Sequence, residues 1–319
     1  MTSDDLKGFL GNQSSKRVLV TGATGFIGQH SLRNLVDEGF EVHALSRSSH
    51  EAKLDSDNVY WHTADLFENG VAENVIGEVN PTHLLHFAWY AEPGKYWTAS
   101  ENFQCVRASL GLLQAFAEQG GERVVMAGTC AEYDWSHGRC SEGVTPLVPS
   151  TVYGACKKSL QEMLAAYAQQ FGLSSAWGRI FFLYGPQEHS SRLVSSVIRS
   201  ILQGELALCS SGEQVRDFMH VADVASAFVA LLNSEVQGPV NIASGEAMAI
   251  KDMVKKISLK LGHPELLMLG ARPTSPQDPP LLLADVGRLK DELGWRPSFD
   301  LDQGLDETIA WWRLQLKCT

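Results

Sequence analysis

Several kinds of segment are missing from this sequence, and each absence removes a class of protein. The 319 residues carry a net charge of −11, so the chain lacks the basic surface with which proteins bind nucleic acid, although this balance does not exclude a local basic pocket for a diphosphate. No apolar run approaches the roughly 20 residues of a membrane helix. The N-terminus lacks the basic start and apolar core of a secretory signal. We therefore expect a flexible leader over residues 1–16 of a cytoplasmic protein without a nucleic-acid or membrane partner.

The cysteines show neither Cys-x-x-Cys pairing nor the spacing of zinc ligands. This pattern predicts free thiols in a reducing compartment and no metal site. Internal repeats and low-complexity tracts are also absent from the sequence. The six cysteines are Cys105, Cys130, Cys140, Cys156, Cys209 and Cys318.

What the chain does have is enough length for one large or two smaller domains. Hydrophobic residues make up 44% and charged residues 20% of the chain, which is typical of soluble globular proteins. Apolar runs alternate with amphipathic segments, and this predicts an α/β fold with a doubly wound parallel sheet. The predicted strands are 17–21, 41–46, 82–88 and 123–128, and the predicted helices are 25–38, 108–119 and 153–170.

A glycine-rich segment, TGATGFIG, follows the first predicted strand and contains Gly22, Gly25 and Gly28. Glycines there allow a tight turn, a close approach of backbone N–H groups to a pyrophosphate, and close packing of the next helix. In this strand-turn-helix context the segment predicts dinucleotide binding, the alternative being a purely structural turn. The intervening residues of the predicted cofactor site are Thr24, Phe26 and Ile27.

Beyond about residue 180 the alternation weakens, and 271–280 reads as an extended loop. We therefore predict a dinucleotide-binding domain over 17–180, to which 216–245 returns. A smaller, partly discontinuous substrate lobe would then comprise 181–215 and 246–319.

The end of the second predicted strand bears on the choice of cofactor. An acid there would accept hydrogen bonds from a ribose 2′-hydroxyl, whereas Arg with small hydroxyls suits a 2′-phosphate. The sequence has Arg47 and Ser48, and no acid before Glu51. This favours NADP over NAD, unless Arg47 is merely a solvated surface residue.

Three further residues complete the predicted cofactor site. Asp65, followed by Leu66, lies after the next short apolar run and is placed to meet the adenine. An Asp in that position could equally be a helix cap. Ala88 ends the predicted strand at 82–88.

Tyr153 and Lys157 are four residues apart, on one face of a predicted helix. A nearby cation favours the phenolate, so we expect Lys157 to lower the pKa of Tyr153 into a range useful for proton transfer. The pair by itself is common. It gains weight downstream of a glycine loop, with Thr129 at the end of the preceding strand.

Together these segments resemble the extended short-chain dehydrogenases/reductases, and in particular their NAD-dependent epimerase/dehydratase branch, whose members have a Rossmann fold and act on nucleotide sugars. The resemblance runs from Arg17 to about Pro297. The motifs that carry it are TGATGFIG, TVYGACK, RIFFLYGP (179–186), RDFMHVADVA (216–225), NIASGE (241–246) and LGWRP (293–297).

The resemblance implies roles for the central residues. Tyr153 would exchange a proton with a sugar hydroxyl, Lys157 would hold the nicotinamide ribose, and Thr129 would hydrogen-bond the reacting oxygen. Arg216 would hold the substrate diphosphate, the alternative being an ion pair with Asp217 or another acid. The remaining implied substrate residues are Phe182 and Arg272, and the residues expected to be scaffold are Asp223, Asn241 and His220.

Two positions depart from the family pattern, because Cys105 and Phe182 stand where an Asn is usual. Both Asn side chains commonly serve the sugar or diphosphate end of the substrate. Phe182 makes that part of the site more apolar, which would suit a deoxy sugar.

The stretch GTCAEYDW (128–135) bears on the reaction type. Family members that dehydrate sugars have an acid and a base directly after the strand-end Thr, where this chain has Cys130 and Ala131. Glu132 comes one residue too late, and we expect its side chain to lie on the other side. Dehydration is therefore disfavoured, and Tyr133 and Asp134 are expected to be loop structure.

Three activities remain open. The Arg47 signal favours an NADPH-dependent reductase acting at C4 of a nucleoside-diphosphate 4-keto-6-deoxyhexose. The first alternative is a nucleotide-sugar 4-epimerase with bound NAD, and the second is a non-catalytic NADP-binding sensor. By family analogy we expect a homodimer formed through helices at 100–119 and 153–170.

Overall fold

A computed structural model describes residues 16–48, 58–275 and 277–317 of the chain. The strands are β1 (Arg17–Thr21), β2 (Glu41–Ser46), β3 (Val59–Thr63), β4 (His83–His86), β5 (Arg123–Thr129), β6 (Arg139–Cys140), β7 (Ser174–Ile180), β8 (Phe182–Tyr184), β9 (Ala207–Leu208), β10 (Val215–Arg216), β11 (Phe218–His220), β12 (Gly238–Ile242), β13 (Met248–Ala249), β14 (Leu267–Met268) and β15 (Leu281–Ala284). The α-helices are α1 (Gly28–Asp37), α2 (Val71–Val79), α3 (Glu101–Glu118), α4 (Val152–Phe171), α5 (Leu193–Leu202), α6 (Val221–Leu232), α7 (Ile250–Leu261) and α8 (Leu301–Lys317).

The centre of the fold is a seven-stranded sheet in the order β12-β7-β5-β4-β1-β2-β3. All of its strand pairs are parallel. Helices α1 and α6 pack on one face, and α2, α3 and α4 pack on the other. Because both faces are covered, the interior of β1 is apolar throughout, and Val18, Leu19 and Val20 are fully buried. The predicted doubly wound α/β fold is confirmed.

A second apolar core lies among α5, α7 and α8. Next to it are a four-stranded sheet in the order β13-β10-β15-β6 and two short strand pairs, β8 with β11 and β9 with β14. After this excursion β12 returns to the main sheet beside β7, and α6 packs against α1. We propose the two-lobe division on the basis of this packing.

Some predicted boundaries differ from the structure, those of α3 and β4 among them. Helix α3 begins at residue 101 rather than at 108, because its first turns bury the polar Asn102 and the thiol Cys105, which no apolar periodicity reveals. Strand β4 ends at His86 rather than at residue 88. Beyond it the Phe87 N–H donates a hydrogen bond to the Thr21 carbonyl (3.1 Å) as the chain leaves the sheet.

In the part of the chain that the structure describes, no helix is both long and apolar enough to span a membrane. Five of the cysteines are described, and all five are buried free thiols, as predicted. No group of three potential metal ligands occurs among the described residues. The predicted leader over 1–16, apart from Lys16, and the positions of Glu51 and Cys318 lie outside the described residues.

Candidate active site

The strand order of the seven-stranded sheet indicates where a ligand site lies. Strands β1 and β4 are neighbours, and the chain winds outward from them in opposite directions, to β2 and β3 on one side and to β5, β7 and β12 on the other. A crevice opens at the carboxyl ends of the strands where the winding reverses, and ligands of such sheets bind there. The glycine loop follows β1 and the GTCAEYDW stretch follows β5, so both lie at this edge.

The glycine loop is packed so closely that side chains would not fit. Gly22 has a φ of +67°, and a Cβ there would lie 2.8 Å from the Ala88 backbone nitrogen. A Cβ on Gly28 would overlap the Gly22 carbonyl. The Gly25 N–H donates to that carbonyl (2.9 Å), which closes a turn and delays the start of α1 from the predicted residue 25 to Gly28.

The residues of this loop fit a dinucleotide, because a glycine turn without room for side chains leads into the N-terminus of α1, an arrangement that accommodates a pyrophosphate. The other predicted cofactor residues of the loop are at its surface, with Thr24 exposed and both Phe26 and Ile27 half-buried.

Beyond β2, Arg47 and Ser48 are exposed, and the Ser46 hydroxyl donates to the Ser48 carbonyl (2.9 Å). Asp65 accepts a hydrogen bond from the Phe67 N–H (3.0 Å), so it caps the turn that follows β3. Leu66 is half-buried against the core between the sheet and α2–α4. The predicted adenine end of the site is thus more open than the opposite end, next to β5.

The structure brings Thr129, Tyr153 and Lys157 together at the end of β5. The Thr129 side chain lies near the Tyr153 phenol, close enough to influence the pKa of that group. Tyr153 is the second residue of α4, whose start is fixed by Thr151, since its hydroxyl accepts a hydrogen bond from the Gly154 N–H (3.1 Å). One helical turn later Lys157 enters the protein interior and is only 4% exposed.

The ammonium of Lys157 donates to the Ala127 carbonyl (2.7 Å) and lies 3.6 Å from the centre of the Trp89 ring. Burial lowers the pKa of Lys157 to about 7. Tyr153 is half-buried, yet the surrounding groups exclude enough water that desolvation raises its pKa above the usual range, against the opposing effect of the nearby Thr129 side chain. The predicted lowering of this pKa is therefore wrong for this arrangement, because desolvation by burial is the largest influence on the phenol.

Aromatic rings form the wall around Tyr153. The ring centroid of Tyr96 lies 4.9 Å from that of Tyr153, and those of Trp97 and Trp89 lie 5.8 and 6.3 Å away, all in edge-to-face geometry. The Arg192 guanidinium lies 5.4 Å from the Tyr96 ring centre. The sequence reasoning missed this wall, since no short pattern links its members.

Glu132 is fully buried in the short 3-10 turn Cys130–Glu132 that follows β5, so the strand geometry on which its predicted orientation rested does not continue through it. It pairs with Arg179 (2.7 Å), accepts from the Trp177 indole N–H (2.9 Å), and accepts from the Thr129 N–H (2.8 Å). The spacing Thr-x-x-Glu is the signature of a capping box, and it could have predicted this contact. Cys130 and Ala131 are buried in the short turn between them.

The other residues of this stretch are structural. Tyr133 lies in the connection between two short turns, as predicted, but it is buried, and its hydroxyl donates to the Asn241 side chain (2.7 Å). Asp134 caps the next turn through the Ser136 N–H (3.0 Å).

The residues expected to be scaffold have structural contacts. Asp223 accepts hydrogen bonds from the backbone N–H groups of residues 298 and 299. The buried His220 packs against the rings of Tyr184 and Phe299.

Of the predicted substrate residues, Arg216 and Phe182 are packed together. The Arg216 guanidinium lies 5.3 Å from the Phe182 ring centre and pairs with Asp278 (2.5 Å). Asp278 is thus the acid partner that the alternative for Arg216 required. Arg272 is exposed on the loop after β14, and its backbone N–H donates to the Cys209 carbonyl (3.1 Å).

The fold and this edge of the sheet define an α/β enzyme of the nucleotide-binding class. A profile of the NAD dependent epimerase/dehydratase family matches residues 18–243, and the chain belongs to this family, as its motifs predicted. It is 31% identical to UDP-glucuronic acid decarboxylase 1 of Xenopus tropicalis in an alignment 330 positions long, gaps included. The alignment covers 97% of this chain and 75% of that protein.

Solved structures give the same assignment. UDP-N-acetylglucosamine 4-epimerase from Methanobrevibacter ruminantium, in complex with UDP-N-acetylmuramic acid, superposes with a TM-score of 0.85 at 26% identity, covering 94% of this chain and 99% of that one. UDP-glucose 4-epimerase of Thermus thermophilus, in complex with NAD, gives a TM-score of 0.80 at 26% identity, with coverage of 93% and 99%.

Proposed function

We propose that the chain is a UDP-sugar 4-epimerase that works with bound NAD. The observation that carries this proposal is the composition of the site at the end of β5, where a hydroxyl, a phenol and an ammonium meet and the next two residues, Cys130 and Ala131, bring no carboxylate. These groups can move a proton to and from a sugar hydroxyl. The names of the relatives, which include 4-epimerases and enzymes of UDP sugars, support the same reading.

In the proposed reaction Tyr153 takes the proton of the sugar 4-hydroxyl and later returns it. Thr129 donates a hydrogen bond to the same oxygen, and the Lys157 ammonium favours the phenolate while the proton is on the way. Bound NAD would supply the hydride acceptor at C4 and give the hydride back. To take that proton Tyr153 must be ionised, a state that burial opposes. Once it has taken the proton it is neutral and can return the proton to the ketone oxygen.

Reactions that remove water or carbon dioxide from the sugar require catalytic groups in addition to Thr129, Tyr153 and Lys157. Dehydration needs a base at the neighbouring carbon, and neither Cys130 nor Ala131 offers one, because burial raises the pKa of the Cys130 thiol far above neutrality. The nearest carboxylate along the chain, Glu132, is held by Arg179 and by two N–H groups. The site therefore favours oxidation and reduction at one carbon.

For the substrate, we propose that Arg216 binds the diphosphate. Its guanidinium is buried and already paired with Asp278, so a diphosphate would share or replace that carboxylate. We also propose the homodimer: α3 and α4 lie side by side, and Phe103 on α3 is 64% exposed.

A second candidate is the NADPH-dependent 4-ketoreductase of a 4-keto-6-deoxy sugar. It is favoured by one observation, the exposed Arg47 and Ser48 beyond β2, which suit a 2′-phosphate. We rank it second because related structures are complexed with NAD. The presence of Thr129, Tyr153 and Lys157 in one cluster argues against a purely sensory protein.

The test is to incubate the purified protein with a panel of UDP-hexoses and UDP-hexuronic acids, without reduced cofactor, and to analyse the sugars by NMR. The proposal predicts that the C4 epimer of at least one substrate appears. If no epimer forms, but NADPH is oxidised in the presence of 4-keto-6-deoxy sugars, the reductase is the correct activity.

A further inference from the structure

The ammonium of Lys157 has an unusual partner. It is buried, donates to one carbonyl, that of Ala127 (2.7 Å), and lies directly over the indole of Trp89, 3.6 Å from the ring centre. A cation at that distance from the face of an indole is attracted by the ring quadrupole, and the attraction is strongest where water is excluded.

No ionised carboxylate near Lys157 is free to do the same. The titratable groups that act on it are Cys105 on α3, Glu132 after β5 and His86 on β4, and Tyr153 lies one turn earlier on its own helix. Burial raises the pKa of the Cys105 thiol and lowers the pKa of His86 to about 3, so both are neutral near pH 7. The carboxylate of Glu132 is committed to its buried ion pair.

The indole of Trp89 is itself fixed. Its N–H donates to the side-chain oxygen of Asn102 (2.8 Å). The amide nitrogen of Asn102, which is fully buried, donates to the carbonyls of Tyr96 (2.7 Å) and Ala99 (2.8 Å). One side chain therefore sets both the plane of Trp89 and the turn that carries the aromatic wall.

We propose that Trp89, held by Asn102, is a positioning residue that keeps the Lys157 ammonium protonated and in place beside Tyr153. The face of its ring attracts the cation. A carboxylate in the same place would form an ion pair and draw the cation away from the phenol. The contact is a property of the folded chain, and only its kinetic consequence rests on the proposed function.

The direct test is NMR of protein labelled with ¹³C at the lysine ε-carbon, with Lys157→Met to assign the signal. In the wild-type protein we expect the Lys157 ε-protons to be shifted upfield by the indole ring current. In Trp89→Leu we expect the pKa of Lys157 to fall by about one unit, the size of a desolvated cation–π contact. Trp89→Phe keeps a ring face and should retain most of the wild-type pKa.

Trp311→Leu is the matched control, because it removes an indole from α8, in the other core, and should leave the pKa of Lys157 unchanged. An unchanged or higher pKa in Trp89→Leu would overturn the proposal. If that variant does not fold, the wild-type spectrum decides, since ε-protons without a ring-current shift would contradict the contact.

The kinetic arm uses the pH profile of kcat. If protonated Lys157 is required, activity falls as the pH rises through the Lys157 pKa, and this alkaline limb should lie at lower pH in Trp89→Leu than in Trp89→Phe. An alkaline limb at the same pH in both variants would contradict the positioning role. Absence of any epimerase activity in the wild-type protein would refute the proposed function alone, because the NMR result does not depend on turnover.

Discussion

Two buried charged clusters lie side by side at the end of β5, and they differ in how their charges are compensated. In the first, Glu132 and Arg179 are each at most 1% exposed and pair at 2.7 Å, with further hydrogen bonds to Trp177 and Tyr133. In the second, Lys157 is buried with no carboxylate within ion-pair distance among the described residues, and its neighbours are a carbonyl, the indole of Trp89 and, farther away at 5.9 Å, that of Trp177.

This difference suggests a structural role for the first cluster and a chemical role for the second. A buried ion pair whose remaining hydrogen-bonding groups are satisfied holds its protons firmly and fixes the geometry around it. An uncompensated buried cation has a shifted pKa, and such groups mark sites where protons move. The Glu132 carboxylate is thus an anchor of the fold around the site, and the reacting groups that we propose are Thr129 at the end of β5 and Tyr153 on α4.

The largest expected effect comes from breaking the compensated cluster. Glu132→Ala leaves the Arg179 guanidinium buried without its partner, so we expect the free energy of unfolding to fall by about 3–5 kcal/mol. Urea denaturation measures it. Asp37→Ala, which removes an exposed ion pair with Arg33, is the control and should cost less than about 1 kcal/mol. Equal losses in the two variants would show that the buried cluster is not an anchor.

Removing the proposed proton carrier should lower activity and leave stability nearly unchanged. Tyr153→Phe is expected to lower turnover by about two orders of magnitude or more. Because Phe keeps the ring and its edge-to-face contacts with Tyr96, Trp97 and Trp89, we expect the thermal midpoint and the cofactor affinity to stay close to those of the wild-type protein. Calorimetry and a cofactor titration, run beside the activity assay, check this. Full activity in the variant would remove Tyr153 from the mechanism.

The uncompensated cation predicts a pH dependence of stability. The folded pKa of Lys157 is about 7, against an ordinary value of 10.5, so between those values the folded state binds fewer protons than the unfolded state. The free energy of unfolding should therefore rise with pH there, relative to Lys157→Met, by at most about 1.4 kcal/mol per pH unit. Denaturation of both proteins from about pH 7 to about pH 9 measures the difference. A falling difference would contradict the buried, uncompensated ammonium.

The smallest effect concerns the open end of the site. If Arg47 meets a 2′-phosphate, Arg47→Ala should weaken NADP binding by about tenfold, the loss of one charge-assisted contact, and leave NAD binding unchanged. Fluorescence titration of both reduced cofactors gives the ratio. Parallel weakening of both would show that Arg47 does not discriminate between them.

Local patterns predicted the sheet better than the site. The runs at 17–21 and 41–46 coincide with β1 and β2, because strands buried on both faces must be apolar throughout. The start of α3 was missed, since its buried positions include a polar Asn102. In the same way, no local pattern shows that Asn102 holds Trp89, because that contact exists only once the chain is folded.

The grouping of Thr129, Tyr153 and Lys157 was predicted from the family resemblance, and the structure brings them together. Their pKa values could not be predicted in the same way. The sequence places a cation near a phenol, but the balance between that charge and desolvation depends on how far the surrounding rings exclude water.

The most direct test of the account follows the hydrogen at C4. A UDP-hexose that carries deuterium at C4 is incubated with the wild-type protein and with Tyr153→Phe, without added reduced cofactor, and the products are read by NMR and mass spectrometry. The account predicts that the wild-type protein forms the C4 epimer with the deuterium retained at C4, and that the variant forms it at least about a hundredfold more slowly. Epimer in which deuterium has been replaced by solvent hydrogen, or equal rates for the two proteins, would contradict oxidation and reduction at C4 with Tyr153 as the proton carrier.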